Sequence, residues 1–237
     1  MLHASPKIRS PKWLYTKHLQ TIIPNVYRKV EGVVYQREKI TTWDDDFLDL
    51  DWSIVGSSKV VLLSHGFEGS SDRVYARGLT KILNKNGFDV CAWNFRGCSG
   101  EDNLQIYNYH SGKTDDLDYI VNHLIQQEKY DEFYLVGISM GGNMTLKYLG
   151  EEKWTSVNKI TSAITVSVPI HYETSFPHLI KGWNVMYERR FTKQVKEKVL
   201  KKQARFPNLL NYKYIAESKN LWDFTERYTV PVYGFKN

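Results

Sequence analysis

Cysteine is scarce: only Cys91 and Cys98 occur in 237 residues, and their spacing is not the C-x-x-C of a zinc site. No His/Cys cluster accompanies them, so no metal is expected, and a reducing compartment fits. Long apolar runs are missing as well, and nothing approaches the ~18 apolar residues of a membrane span. Met1 to Lys12 lacks the apolar core of a signal peptide. A soluble, cytoplasmic chain is therefore expected. Internal repeats and low-complexity linkers are also absent. With 42% hydrophobic residues, the length suits one domain, 1–237, built on one sizeable core.

What is present in excess is positive charge, a net +6. Much of it lies in Arg189 to Arg205, which carries Lys193, Lys196, Lys198, Lys201 and Lys202. The simplest reading is a solvated helix face. A basic helix can also meet an anionic membrane surface, so peripheral membrane contact stays open, whereas nucleic acid is not expected as a partner.

Hydrophobic patterning gives the fold class. Val33–Thr42 and Phe47–Ser53 read as two strands of a hairpin, joined by the acidic turn Asp44-Asp45-Asp46. Lys59–Ser64, Asp89–Asn94, Glu132–Val136 and Ile160–Val168 are short continuous apolar runs, the mark of strands buried on both faces. Between them, helices are expected over Arg73–Asn86, ended by Gly87, over Thr114–Gln127, and over Gly142–Leu149. Thr114 is the expected N-cap, and Asp115 and Asp116 suit the positive end of the helix dipole. Strands alternating with such helices imply right-handed crossovers and a mostly parallel sheet with helices on both faces. After Pro169 the pattern changes, and 175–220 reads as a helical cap over the strand ends, where such folds place their active sites. The last segment, Tyr228–Asn237, reads as the approach to a further strand.

The strongest chemical signal is Gly137-Ile138-Ser139-Met140-Gly141, a G-x-S-x-G placed directly after a buried strand and before a helix. In that context Ser139 sits on a strained turn as a nucleophile, and the flanking glycines are needed where side chains would clash. A second signal is His65-Gly66-Phe67-Glu68-Gly69, directly after the strand Lys59–Ser64. Such a loop sets the N–H of Phe67 opposite that of Met140, an oxyanion hole in which each donor contributes ~3–4 kcal/mol to the transition state. His65 is read as bracing this loop, because in this fold the catalytic base follows the serine in the chain.

The runs His65–Arg77, Asn94–Glu101, Tyr109–Asp116 and Val136–Gly150, with His18-Leu19-Gln20-Thr21 near the start, resemble the YheT-like branch of the α/β-hydrolases. That branch includes plant embryogenesis-associated proteins and some mammalian lipases of the same fold. The likeness runs from about Pro11 to the last residues. It implies an α/β-hydrolase fold, no cofactor, and hydrolysis of acylglycerols or short-chain esters by a Ser-Asp-His triad. It also implies that the acid and base lie on strands beyond Gly234-Phe235.

The sequence departs from the triad order of serine, acid, histidine. Only His171 and His178 follow Ser139, with Glu151, Glu152 and Glu173 as the intervening acids, and Asp223 has no histidine after it. None of these acids follows a later strand. The chain is thus expected to be inactive or nearly so as it stands, and a non-catalytic lipid- or partner-binding module is the rival reading. Smaller signals remain. Arg96-Gly97-Cys98-Ser99-Gly100 lacks the phosphate-loop pattern, and the resemblance implies that it shapes the site. His110 reads as a hydrogen-bonded loop residue or a substrate contact. Asn143 reads as a neighbour of the oxyanion or as helix packing. Trp183, Met186, Tyr187 and Phe191 read as a core-facing stripe or as the acyl-facing underside of a lid.

Overall fold

The computed structural model describes residues 9–236. The first eight residues of the basic N-terminal arm and residue 237 lie outside them. The arm continues into a helix that its composition did not announce, α1 (Lys17–Tyr27), whose first turn is capped by Thr16 accepting from the Leu19 N–H. The hairpin follows as β1 (Gln36–Thr41) and β2 (Phe47–Ser53), antiparallel, with Asp45 in the left-handed region at its tip. Next come β3 (Lys59–Ser64), α2 (Val74–Lys85), β4 (Asp89–Asn94), α3 (Asp115–Gln126), β5 (Glu132–Ile138), α4 (Met140–Gly150) and β6 (Ile160–Val166).

The six strands form one sheet in the order β1-β2-β4-β3-β5-β6. From β4 to β6 every pairing is parallel, and only β2 runs against the rest. Alternate residues of β3 and β4 feed opposite faces. Val61, Leu63, Val90 and Ala92 pack with Ala76 of α2 on one face. Val60, Leu62, Cys91 and Trp93 pack on the other with Leu117, Ile120 and Leu124 of α3 and Met144 and Tyr148 of α4. Burial on both faces is why these strands read as unbroken apolar runs.

Several expectations need correcting. Ile160–Val168 is not a buried strand: β6 ends at Val166 and bonds only to β5 among the described residues, with Ile164 62% and Val166 44% exposed. Thr114 precedes α3 but makes no capping bond, because its hydroxyl donates to the Glu151 carboxylate while receiving the Trp154 Nε1–H. The last segment does not approach a strand. It turns helical over Val230–Tyr233 and closes on Gly234 at φ +66°. Its tyrosines hold it there, Tyr228 donating to the Ile106 carbonyl and Tyr233 to that of Asn108.

Beyond β6 come α5 (Tyr172–Leu179), α6 (Val185–Lys201), α7 (Tyr212–Ala216) and α8 (Leu221–Phe224). Val195 and Val199 of α6 gather Tyr212, Ile215, Phe224 and Tyr228 into a second small core. The aromatic residues singled out before and along α6 are not its buried face. Trp183 is 77% exposed, whereas Glu188, Thr192, Val195 and Val199 are buried. The stripe turned inward is half polar because Glu188 accepts from both the Thr192 hydroxyl and the Leu221 N–H. Nor is the basic stretch simply a solvated face. Lys202 is buried against the carbonyls of Gln105, Ile106 and Tyr107, and Arg205 donates to those of Asn103 and Leu104. Among the described residues no helix is long and apolar enough to cross a membrane.

Candidate active site

The geometry begins with the end of β5. Ser139 stands between the last strand residue, Ile138, and the first helical residue, Met140, at φ +53° and ψ −118°. For a residue with a Cβ this conformation costs ~1–3 kcal/mol, sustained only when the surroundings dictate it. Here they do. The Ser139 N–H donates to the Val166 carbonyl at 2.8 Å, tying the turn to β6. A Cβ on Gly137 would meet the Gly141 carbonyl oxygen at 2.6 Å, and one on Gly141 would collide with the Ser64 carbonyl oxygen at 2.5 Å. Strand and helix can therefore pass this closely only with glycine at both positions.

Beside this turn lies the loop after β3. A Cβ added to Gly66 would stand 3.3 Å from Ser139 Cβ, so the two segments touch. The loop is a tight turn in which the Gly69 N–H donates to the Gly66 carbonyl at 2.9 Å. Tyr75, from α2, accepts the Gly66 N–H at 2.8 Å. His65 is fully buried: its Nε2 accepts the Phe95 N–H at 3.1 Å, so the proton sits on Nδ1, which reaches the Gly66 carbonyl at 2.7 Å. Burial drives its pKa from 6.5 down to about 3, and the ring is neutral. With these bonds made, the Phe67 and Met140 N–H groups have no partner among the described residues. Met140 is the first residue of α4, where orphan donors and the positive end of the helix dipole coincide. A hydroxyl raised beside such donors stands where an attacking nucleophile would need it, with the donors placed to receive an oxyanion.

Ser139 Oγ itself has no hydrogen-bond partner among the described residues. The candidate triad members lie elsewhere. His171 caps α5 in solvent, accepting from the Thr174 N–H, and His178 is exposed on that helix. Glu151 is taken by Lys147, Thr114 and Trp154, while Glu152 and Glu173 are exposed. Asp223 accepts the Lys219 N–H. Asn143 donates to the Pro169 carbonyl at 3.2 Å, as helix packing would have it. His110 accepts the Gly112 N–H at Nδ1 and lies edge-on to Tyr233, with burial lowering its pKa to about 4.

Two features behind the loop were not read from the sequence. Glu68, at φ +50° and buried, accepts from Tyr109 at 2.5 Å and from Lys198 of α6 at 2.8 Å. Lys198 also reaches Cys98 Sγ at 3.2 Å, and Phe191 packs on Phe67 with ring centres 5.3 Å apart. Arg96 is the second, a buried guanidinium shared among Asp44, Asp46 and Asp116, which keep it firmly protonated. It pins the loop after β4 to the hairpin turn. His18 of the N-terminal signature bonds Tyr187 at 3.1 Å and Gln20 the Leu14 carbonyl at 2.8 Å, so that signature ties α1 to α6.

Set beside known proteins, residues 59–222 match the family model described as the alpha/beta hydrolase fold. The chain is 30% identical over 224 residues to YheT of Escherichia coli (strain K12), covering 92% of this chain and 65% of that protein. It is 26% identical to the bovine (Bos taurus) phospholipase ABHD3, covering 94% of this chain and 56% of that one. Monoacylglycerol lipase of Saccharomyces cerevisiae is 26% identical, with 91% of this chain and 48% of that protein covered. The chain therefore spans about half to two thirds of the length of these relatives. Among solved structures it is similar to the Pyrococcus furiosus esterase Pf2001, with a TM-score of 0.54 and 28% identity over 64% of this chain and 58% of that one.

Proposed function

The chain belongs to the α/β-hydrolase family, and from that premise we propose that it serves the hydrolysis of carboxylic esters through an acyl-enzyme on Ser139. Ser139 Oγ attacks the ester carbonyl, the N–H groups of Phe67 and Met140 receive the oxyanion, and water later releases the acid. His65, Gly66, Gly137 and Gly141 are supporting residues that keep turn and loop in place. The observation that carries this reading is the strained Ser139 turn, walled by glycines and lying against a loop whose Phe67 N–H has no partner among the described residues. Relatives named monoacylglycerol lipase and phospholipase point to acylglycerols or related acyl esters as substrates. In this reading 175–220 forms a lid, with the partly exposed Trp183, Met186 and Tyr187 able to meet an acyl chain.

The reaction also needs a base on Ser139 Oγ, and none of the described residues bonds it. Without one the hydroxyl stays protonated and weakly nucleophilic, so the 237 residues by themselves are expected to turn over little ester. That same observation favours a second reading, a hydrolase-like module that binds a lipid or partner without cleaving it. The two separate on one experiment: hydrolysis of p-nitrophenyl butyrate and of a monoacylglycerol by the protein and its Ser139→Ala variant. The esterase reading expects the serine variant to lose whatever slow hydrolysis the protein shows. Measurable hydrolysis at equal rates in both proteins would sink it, and a protein that binds monoacylglycerol without turnover would favour the module.

A further inference from the structure

The outer side of α6 holds a second basic site, separate from the loop that Phe191 and Lys198 touch. Residues two apart on a helix of 3.6 residues per turn point to nearly opposite sides. While Lys198 reaches Glu68, Lys196 faces away, into a cleft of about 330 Å³ between α6 and the turn that joins α7 to α8. Arg189, Lys193, Lys196 and Lys219 line this cleft, with Glu197 as the only carboxylate among its lining residues. The charges are poorly neutralised. Glu197 stands 3.8 Å from Lys193, and Lys196 spends one proton on the Ser218 carbonyl at 2.9 Å. Arg189 and Lys219 side chains have no acidic partner among the described residues. Four cations gathered on one concave surface repel one another and leave a positive potential that draws an anion in.

A second observation points the same way. Ser218, in the cleft wall, is 4% exposed, and its Oγ has no hydrogen-bond partner among the described residues. A buried hydroxyl left without a partner is destabilising unless something binds it. With Lys196 and Lys219 lining the same cleft, the fitting partner is an oxygen of an anion. Thr192 offers no such hydroxyl, since its own donates to Glu188.

We infer that this cleft binds a phosphate group, with Arg189, Lys193 and Lys219 supplying charge and Ser218 a hydrogen bond. Arg suits the purpose because its planar fork meets two phosphate oxygens at once. The phosphate belongs either to a lipid headgroup or to a soluble phosphate ester, and the chemistry of the cleft is the same for both. The site stands independently of the Ser139 reaction, because α6 separates the two. A chain that hydrolyses nothing would still bind, so failure of one reading leaves the other untouched.

The test uses two probes on the full chain: inorganic phosphate by calorimetry, and co-sedimentation with phosphatidylcholine vesicles with or without phosphatidylglycerol. The exposed pair Lys193→Glu/Lys219→Glu is expected to weaken binding of the responding probe by about tenfold or more. Ser218→Ala is expected to weaken it less. Lys29→Glu/Lys159→Glu changes the net charge equally but lies outside the cleft, and it should bind as the parent does. Vesicle binding that requires phosphatidylglycerol and is competed by phosphate identifies a lipid headgroup. Phosphate binding without vesicle binding identifies a soluble ester, and either result upholds the site. Binding of neither probe overturns the inference, as does equal weakening by the two charge-reversing pairs, which would mean diffuse attraction.

Discussion

With both ring nitrogens engaged and no contact with solvent, His65 has no place for a second proton. Folded, it takes one only near pH 3, and unfolded near its ordinary 6.5. Between those values the unfolded chain holds the extra proton. The stability tied to this residue is therefore complete above about 6.5 and is lost as pH falls toward 3, by about 1.4 kcal/mol per pH unit. His110, lowered to about 4, adds in the same direction over a narrower window. Urea unfolding followed from pH 7 to pH 4 is expected to show this slope, and His65→Gln to flatten it. An unchanged slope in the variant would mean that His65 is not held neutral. Much at this scale was legible. The G-x-S-x-G and HG-x-x-G patterns, read with the strands before them, pointed to the strained turn at Ser139 and to the loop that lies against it. The partners of that histidine were not legible. The Phe95 N–H lies 30 positions away, and the Tyr75 hydroxyl beside it arrives from another helix. A local pattern records which residues are buried, not which groups meet across the fold.

At the scale of elements, α6 and the loop after β3 are coupled through Lys198 and Glu68. Both side chains are nearly buried, 11% and 6% exposed, and they meet at 2.8 Å beside the Phe67 N–H. Removing one partner of such a pair leaves a buried charge alone, at a cost of ~3–5 kcal/mol, whereas replacing both is far milder. Lys198→Met is therefore expected to destabilise by about 3 kcal/mol, and Lys198→Met/Glu68→Gln to recover much of that loss. Denaturant melts of the two single variants and the double close the cycle. Additive losses would show that the pair does not act as a unit. The sequence placed a basic helix here but mistook its orientation. Aromatic side chains at helical spacing look like a core stripe, yet Glu188 and Thr192 occupy the inner face by bonding each other and the start of α8. Polar residues satisfied in this way do not register as hydrophobic periodicity. The missed helix α1 has a different cause: Leu19, Ile22, Ile23 and Val26 do recur at helical spacing, but Pro24 interrupts the pattern and none of its side chains is buried.

For the molecule as a whole, apolar runs and crossover handedness led to a mostly parallel sheet, but the strand order needed the structure. That β4 lies between β2 and β3 follows from tertiary pairing that no window of sequence contains. The same order leaves β6 at one edge, and it is there that the 237-residue chain is most exposed to association. The opposite edge, β1, carries Arg37, Glu38 and Lys39, charges that discourage edge pairing. By contrast, β6 presents Ile164 and Val166 outward, with backbone groups beyond β5 free to pair. An apolar edge of this kind templates further strands, whether from a second copy or from any other segment that completes the sheet. The isolated 237-residue chain is therefore expected to self-associate as concentration rises, and Ile164→Lys to shift it toward monomer by placing a charge in the apolar row. Sedimentation velocity over a hundredfold range of concentration measures both. A parent chain that stays monomeric throughout would show that β6 is no hazard and would strengthen the binding-module reading. Association abolished by the lysine would mean that this edge calls for a neighbouring strand. In that case Ser139, whose N–H is held by the Val166 carbonyl of the same strand, would depend on the neighbour for its geometry.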